Sequence, residues 1–277
     1  MAEQSVLMVI GASGRSGQLM RKAGGAAPVI WASRRGGPGL TRWRPGDPLP
    51  KLRAALVLSA VTTGRAEGYP ENIRIARETA AALAAAGVPL CIYASTQAVY
   101  GRTAEHGATE GDAPCAPSAY GASKLAAERQ FALALSGTRS RGVILRLGNI
   151  AGADRLGRQV ARGLPLRLDR FDDGPGPERS YLTAPCLLRL ALGVMEAHSQ
   201  GADLPLILNA AAPEPVAMAE ILQAAGLPFD WRRAPEGAAR RITMSMARLA
   251  GLFPDLLPKG DPAILAAALL PVGRQGR

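Results

Sequence analysis

The chain has 277 residues, enough for one domain, or for a domain with an added lobe, that buries a sizeable core. Its residues are 48% hydrophobic but only 4% aromatic, and no apolar stretch is long enough to span a bilayer. Three cysteines without metal-ligand spacing and only two histidines argue against a disulfide framework, a metal site and Ser-His-Asp chemistry.

The formal net charge is +11, and nearly all of the positive charge is arginine. A basic protein attracts nucleic acid or phosphate-bearing ligands. These arginines are scattered, however, and accompany abundant Ala, Gly and Pro, as in proteins of GC-rich genomes. We favour that explanation over a nucleic-acid role. The N-terminus does not resemble a secretory signal, so we expect a cytoplasmic protein without a membrane partner.

The first half of the chain alternates strand-like and helix-like segments. Helices are predicted at Glu71–Ala86, before the stop Gly87-Val88-Pro89, and at Ser118–Ser136. Both contain many small residues, which suits close helix contacts and a homodimer. Apolar runs of the kind found in strands covered on both faces occur at Val6–Ile10, Val29–Ala32, Ala55–Ala60, Leu90–Ala94 and Val143–Leu147. The pattern predicts an α/β fold with a Rossmann-type, doubly wound parallel sheet.

The second half differs in composition and pattern, because residues 151–179 are rich in Gly, Arg and Pro and show no clear hydrophobic period. We predict a nucleotide-binding core over residues 1–150, to which residues 185–210 return, and a small substrate-binding lobe over 151–277. The later predicted elements are a helix at Pro185–His198, a strand at Leu206–Asn209, and helices at Val216–Ala225 and Pro262–Leu270.

A glycine-rich loop directly follows the first predicted strand and opens a helix. Glycines permit a tight turn and close approach of the backbone to a pyrophosphate, which the helix N-terminus then attracts. This context predicts a dinucleotide site formed by Gly11, Ser13, Gly14, Arg15, Ser16 and Gly17.

The end of the second strand reads Ser33-Arg34-Arg35. NAD-binding folds usually place an acid there for the ribose 2′-OH, whereas Ser and Arg suit a 2′-phosphate. Arg15 could add a second cation. Although these arginines could also be ordinary surface charges, we expect NADP as the cofactor rather than NAD.

Tyr120 and Lys124 are four residues apart on a predicted helix, so both side chains can reach one site. A nearby ammonium favours phenolate, which is expected to lower the pKa of Tyr120 and make it usable as an acid or base. Residues 95–101, Ser-Thr-Gln-Ala-Val-Tyr-Gly, follow the fourth strand, where a hydroxyl could orient a substrate oxygen.

Together these motifs resemble the extended short-chain dehydrogenase/reductases, also described as the NAD-dependent epimerase/dehydratase family. In that family the catalytic Ser or Thr lies four residues before the Tyr of a Val-Tyr-Gly motif. The resemblance therefore implies a catalytic centre of Thr96, Tyr120 and Lys124. Ser95 is the adjacent alternative to Thr96, and we expect its hydroxyl near the substrate.

The resemblance extends along almost the whole chain. By analogy, Asp47 would contact adenine, Ser59, Ala60 and Val61 would line the cofactor, Asn72 would begin a helix, Asn149 would face the substrate, and Arg179 would bind a nucleotide-sugar diphosphate. Arg167 and Arg170 could also meet a diphosphate or be solvated loop charges.

Several departures weigh against a standard sugar-nucleotide epimerase. Thr183-Ala184 replaces the family's acidic pair, Ile150-Ala151 replaces Val-Tyr, and the connection from Arg35 to Arg53 lacks a full helix. We therefore expect hydride transfer at a carbonyl or alcohol carbon of a small molecule, a nucleotide sugar or another carbonyl compound. An epimerase or dehydratase that retains its cofactor is the first alternative, and a non-catalytic NADP sensor or RNA-binding protein is the second.

Overall fold

The computed structural model describes residues 6–24, 28–62, 68–172, 174 and 176–270. Its strands are β1 (Leu7–Ile10), β2 (Val29–Ser33), β3 (Thr41–Arg42), β4 (Ala54–Val57), β5 (Leu90–Thr96), β6 (Arg141–Leu147), β7 (Asn149–Ile150), β8 (Arg167–Arg170), β9 (Glu178–Arg179), β10 (Tyr181–Leu182), β11 (Ile207–Ala210), β12 (Val216–Ala217), β13 (Asp230–Arg233) and β14 (Arg241–Ile242). Its helices are α1 (Arg15–Ala23), α2 (Glu71–Ala85), α3 (Ala119–Leu135), α4 (Arg155–Ala161), α5 (Ala184–Ser199), α6 (Met218–Ala224), α7 (Ala247–Leu252) and α8 (Pro262–Leu269).

Seven parallel strands form the central sheet in the order β11-β6-β5-β4-β1-β2-β3. The chain moves outward from β1 in both directions, which is the doubly wound arrangement expected from the sequence. Because all seven strands run the same way, their carboxyl ends lie along one edge. The loops that carry the predicted site therefore meet at that edge.

The two sheet faces bury alternate side chains of the same strands. One apolar cluster joins Leu7 and Leu56 to residues of α1 and α5. The other joins Met8 and Tyr93 to residues of α2 and α3. Burial on both faces explains why the central strands read as continuous apolar runs.

The second half contributes to two regions. Strand β11 pairs with β6 and α5 packs against α1, so the segment from α5 to β11 belongs to the sheet. A separate apolar cluster gathers residues of α4, α6 and α8 around Tyr181. Short strands outside the main sheet, including β8 paired with β13, belong to the same region as this cluster around Tyr181.

The element predictions agree with the structure to within a few residues. The connection from Arg35 to Arg53 contains only β3, and α1 has nine residues. Helices α2 and α3 pack against each other on one sheet face, which accounts for their small residues within a single chain. No helix in the described part of the chain is long and apolar enough to cross a membrane.

Candidate active site

The glycine-rich loop leaves β1 at a turn that requires glycine. Gly11 has φ +93°, and a Cβ there would lie 2.7 Å from the backbone nitrogen of Ser59. A Cβ on Gly17 would lie 2.5 Å from the Cα of Ala12, so α1 packs directly against its own loop. The loop is thus pressed against the segment after β4, which was also predicted to line the cofactor.

Helix α1 begins beside this loop without a side-chain cap. Gly14 stands at the N-cap with no side-chain hydrogen bond, and Ser13 and Gly14 are exposed while Ser16 is half-buried. The first N–H groups of the helix thus stay available to an anion, in the geometry that binds a pyrophosphate.

Arg15 does not extend toward a 2′-phosphate in this structure. Its Nη2 donates to the carbonyl of Gly157 (2.7 Å) and its Nε donates to the carbonyl of Gly152. Burial lowers its pKa, as does the charge of Arg158. Arg15 thus joins the glycine-rich loop to α4, and its expected role as a second phosphate cation is not supported.

Two of the residues expected near the adenosine end serve the local backbone. The buried Ser33 hydroxyl donates to the carbonyl of Gly36 (3.3 Å), and the Asp47 carboxylate accepts from the backbone N–H of Arg44 (2.9 Å). Ser33 therefore has no free hydroxyl for a phosphate here, and Asp47 closes a turn.

Arg34 and Arg35 are exposed at the carboxyl end of β2. The pKa of Glu71 is lowered first by its hydrogen bond to Arg74 and also by the charge of Arg34. That interaction places Arg34 beside the start of α2. No acid occupies the end of β2, where a ribose 2′-OH would need one.

Asn72 fixes the segment Ser59-Ala60-Val61 that follows β4. Its buried amide accepts from the N–H of Val61 (2.6 Å) and donates to the carbonyl of Val61 (3.1 Å). The same amide donates to the Ser123 hydroxyl (3.1 Å), which in turn donates to the carbonyl of Tyr120 (2.8 Å). One side chain therefore ties the predicted cofactor segment to the helix carrying Tyr120.

Thr96 and Tyr120 are brought together by a close approach of backbones. Thr96 ends β5, and its hydroxyl accepts from the N–H of Ala98 (3.2 Å). A Cβ on Gly121 would lie only 2.5 Å from the carbonyl oxygen of Ala98. Glycine directly after Tyr120 thus lets α3 touch the turn after Thr96.

The environment of Tyr120 raises its pKa, contrary to the expectation from the sequence. Burial raises the pKa to about 12, and the neighbouring Tyr69 acts in the same direction. The charge of Arg158 and a hydrogen bond with Thr96 lower it, but burial outweighs both. The Tyr69 ring lies 5.7 Å from the Tyr120 ring, centroid to centroid.

Lys124 is fully buried and bonded away from the Tyr120 phenol. Its Nζ donates to the Tyr93 hydroxyl (2.6 Å) and to the carbonyl of Ala94 (2.7 Å). Burial lowers its pKa to about 7, although the charge of Glu128 opposes this shift. In the free protein, Lys124 is therefore not the cation that acts on Tyr120.

A buried ion pair lies behind Lys124. The Glu128 carboxylate accepts from Nη2 of Arg146 (2.8 Å), and both side chains are less than 5% exposed. The Ser95 hydroxyl also donates to Glu128 and is buried. Ser95 thus belongs to this internal network, and the expected contact with substrate is not supported.

The two residues expected at the substrate have different environments. Asn149 is half-buried, and its amide is hydrogen-bonded to the Gln97 amide at 2.9 Å. Arg179 donates to the carbonyls of Glu178 (2.7 Å), Arg240 (2.7 Å) and Ala239 (3.0 Å). Because these bonds engage the guanidinium with the backbone, Arg179 is not poised for a diphosphate. Arg167 and Arg170 are exposed on β8.

Four residues of this region were not predicted from the sequence as part of the site: Tyr69, Tyr93, Gln97 and Arg158. Strand alternation could have placed Tyr93 on the sheet face covered by α3, and Gln97 directly follows Thr96. Tyr69 and Arg158 reach the site through tertiary packing, for which the sequence holds no signal.

Comparison with known proteins adds independent information. Residues 54–184 match the model of the NAD dependent epimerase/dehydratase family. No curated protein sequence matches the chain significantly.

Solved structures share the fold over nearly the whole length. MoeE5 in complex with UDP-glucuronic acid and NAD is 21% identical, with a TM-score of 0.77 over 96% of this chain and 98% of that chain. UDP-glucose 4-epimerase from Brucella ovis in complex with NAD is 19% identical, with a TM-score of 0.78 over 95% and 96%. The NDP-hexosamine 5,6-dehydratase TunA is 15% identical, with a TM-score of 0.74 over 96% of each chain. Residues 54–184 thus resemble the NAD dependent epimerase/dehydratase family, whose members are enzymes, and the solved structures show that nearly the whole chain shares their fold.

Proposed function

We propose that the protein binds a nicotinamide dinucleotide and catalyses hydride transfer at a carbonyl or alcohol carbon, with Tyr120 as the proton donor or acceptor. The observation that carries this proposal is the position of the Tyr120 phenol. It lies beside the Thr96 hydroxyl, on a helix that Asn72 ties to the segment after β4.

The residues available for a dinucleotide fit such a ligand. Gly11 and Gly17 let the loop pack against Ser59 and Ala12, where any Cβ would collide with the backbone, and α1 offers uncapped N–H groups to a pyrophosphate. Lys124, at the other end of the site, retains one N–H beyond its two hydrogen bonds, which could reach the nicotinamide ribose. The dinucleotide, when bound, supplies or accepts the hydride.

The raised pKa of Tyr120 favours one direction of proton transfer. With a pKa of about 12, the phenol is protonated at neutral pH and can donate its proton to a carbonyl oxygen as that oxygen gains charge. Thr96 is placed to hydrogen-bond the same oxygen. The resulting phenolate would be reprotonated from solvent. A protonated Tyr120 in the free protein therefore favours carbonyl reduction over alcohol oxidation.

For the cofactor, we propose NADP in preference to NAD. Support comes from exposed Arg34 and Arg35 at the end of β2 and from the lack of an acid there. Support for NAD comes from the structural neighbours, several of which were solved with that nucleotide. Both forms share the adenosine, the pyrophosphate and the nicotinamide, so the glycine-rich loop and Lys124 would serve either.

A nucleotide-sugar epimerase or dehydratase with retained cofactor is the second candidate function. It is favoured by the neighbours, among them structures containing UDP-glucuronic acid and UDP-glucose. Nucleotide that stays bound through purification, in the NAD form, would support it. Freely exchanging NADPH would support a reductase. A non-catalytic role would show as salt-sensitive RNA binding without turnover.

Tyr120→Phe tests the catalytic proposal. Incubated with reduced and oxidised dinucleotides and a panel of nucleotide sugars and simple carbonyl compounds, wild type should convert at least one compound. The rate of the variant should fall about 10²- to 10⁴-fold while it binds dinucleotide normally, because only the transferred proton is removed. Tyr69→Phe, which removes the hydroxyl of the neighbouring ring but keeps the ring, is the matched control and should keep most of the wild-type rate. Full turnover by Tyr120→Phe would refute the assignment.

A further inference from the structure

A second phenol, Tyr93, contacts Lys124 directly. The Tyr93 hydroxyl oxygen lies 2.6 Å from Nζ of Lys124, and the same Nζ lies 4.0 Å from the centre of the Tyr93 ring. Both residues are buried, at 0% and 1% exposure. Such a pair is costly to bury unless it has a defined geometry, because each polar atom gives up water.

The local fold holds the Tyr93 ring in one place. Strand alternation on β5 directs Tyr93 to the face covered by α3, where its ring stacks on Phe131 with centroids 5.1 Å apart and planes 27° apart. The ring thus cannot move away from Lys124 without disrupting the core. The position of the Tyr93 hydroxyl is therefore fixed by the packing of its ring.

The contacts of Lys124 account for two of its three hydrogens. One N–H points to Tyr93, one to the carbonyl of Ala94, and an ammonium group has one more to give. Two fixed acceptors define the direction of the third hydrogen. The ammonium is thereby oriented before any ligand arrives, which avoids an entropic cost on binding.

The charged neighbours do not replace this contact. Glu128 lies one helical turn further along α3, but its carboxylate is engaged by Arg146 from β6 and by Ser95 from β5. Tyr120, one turn before Lys124, is protonated at neutral pH. Tyr93 is therefore the side chain that accepts from Nζ directly.

We propose that Tyr93 is a positioning residue, whose hydroxyl holds the charged Lys124 amine and aims its remaining N–H at the dinucleotide. The part of this inference that concerns the dinucleotide rests on the proposed function. The contact between Tyr93 and Lys124 does not, and it can be tested in the free protein.

The first test follows the titration of Lys124 itself. The chain has only four lysines, so ¹⁵N-lysine labelling gives few side-chain signals, and Lys124→Arg assigns the one of interest. Wild-type Lys124 should titrate near its pKa of about 7. Tyr93→Phe keeps the ring and its stacking but deletes the acceptor of the charged form. Its Lys124 should bind protons about tenfold more weakly, with a lower pKa.

Tyr100→Phe is the control, because it deletes another buried phenol, bonded to Asn209 at 2.8 Å, that does not contact Lys124. Its Lys124 should titrate as in wild type. A folded Tyr93→Phe protein with the wild-type titration would overturn the inference. If Tyr93→Phe does not fold, Tyr93→Met deletes the same hydroxyl and is judged by the same result.

The second test measures the dinucleotide dissociation constant near neutral pH for the same variants. Tyr93→Phe should weaken binding about tenfold, and Tyr100→Phe should not. Unchanged affinity alongside a shifted titration would overturn the aiming of Lys124 at the dinucleotide. Failure of wild type to bind any nicotinamide dinucleotide would overturn the proposed function instead, leaving the Lys124 titration to decide the contact.

Discussion

At the scale of single residues, burial determines the chemistry of the site more than neighbouring charge does. Burial raises the pKa of Tyr120 and lowers that of Lys124, because it disfavours the charged form of each group. The helical spacing of four residues put them on one face as predicted, but Lys124 turns inward to Tyr93. Spacing indicates which groups are near each other, whereas burial and hydrogen bonding decide their protonation.

Cofactor choice also belongs to this scale. Arg34→Ala should weaken NADP binding about tenfold to a hundredfold, since hydrogen bonds to charged groups contribute about 1.5–3 kcal/mol, and should leave NAD binding nearly unchanged. Isothermal titration with both nucleotides measures the difference. Arg129→Ala removes the same charge from an exposed position on α3 and serves as the control. Equal loss of affinity for NADP and NAD in Arg34→Ala would contradict the assignment.

At the scale of elements, the site depends on how closely α3 approaches the turn after β5. Gly121→Ala would place a Cβ 2.5 Å from the carbonyl oxygen of Ala98, so the helix must shift. We expect a loss of about 1–3 kcal/mol in the free energy of unfolding, together with reduced turnover, because Tyr120 moves from Thr96.

Gly251→Ala is the matched control for this substitution. Gly251 lies in α7, and a Cβ there would meet nothing within 4 Å. Alanine should stabilise the protein by about 0.5–1 kcal/mol, because glycine weakens a helix. Urea unfolding measures both variants. A Gly121→Ala protein as stable and as active as wild type would show that the close approach has no role.

The elements were largely predictable, and the polar contacts were not. Continuous apolar runs and glycine stops located β1, β4, β5, α2 and α3, since both signals come from local chemistry. Arg179 and Ser95 were expected at the substrate, but in the free protein they bond to partners from distant parts of the chain. These partners are the carbonyls of Ala239 and Arg240, just before β14, and the Glu128 carboxylate. Side-chain partnership of this kind follows only from tertiary packing.

At the scale of the whole molecule, the parallel sheet gathers loops from distant parts of the sequence along one edge. Gly11 after β1, Arg34 after β2 and Ser59 after β4 each follow a strand that ends there, and Thr96 is the last residue of β5. The formal net charge of +11 reflects an excess of arginines spread along the chain, and some arginines are paired with acids, as Arg146 is with Glu128. The net charge is therefore a weaker indication of function than the loops at the carboxyl ends of the strands.

The most direct test of the account is isothermal titration of wild type and Gly14→Asp with NADP and NAD. Gly14 is exposed at the N-cap of α1 in an extended conformation that Asp can adopt. Its carboxylate would occupy the place proposed for the pyrophosphate. Wild type should bind one dinucleotide per chain, and Gly14→Asp, while folded, should lose about a hundredfold or more in affinity through charge repulsion. Absence of binding to wild type, or equal binding by the folded variant, would contradict the account.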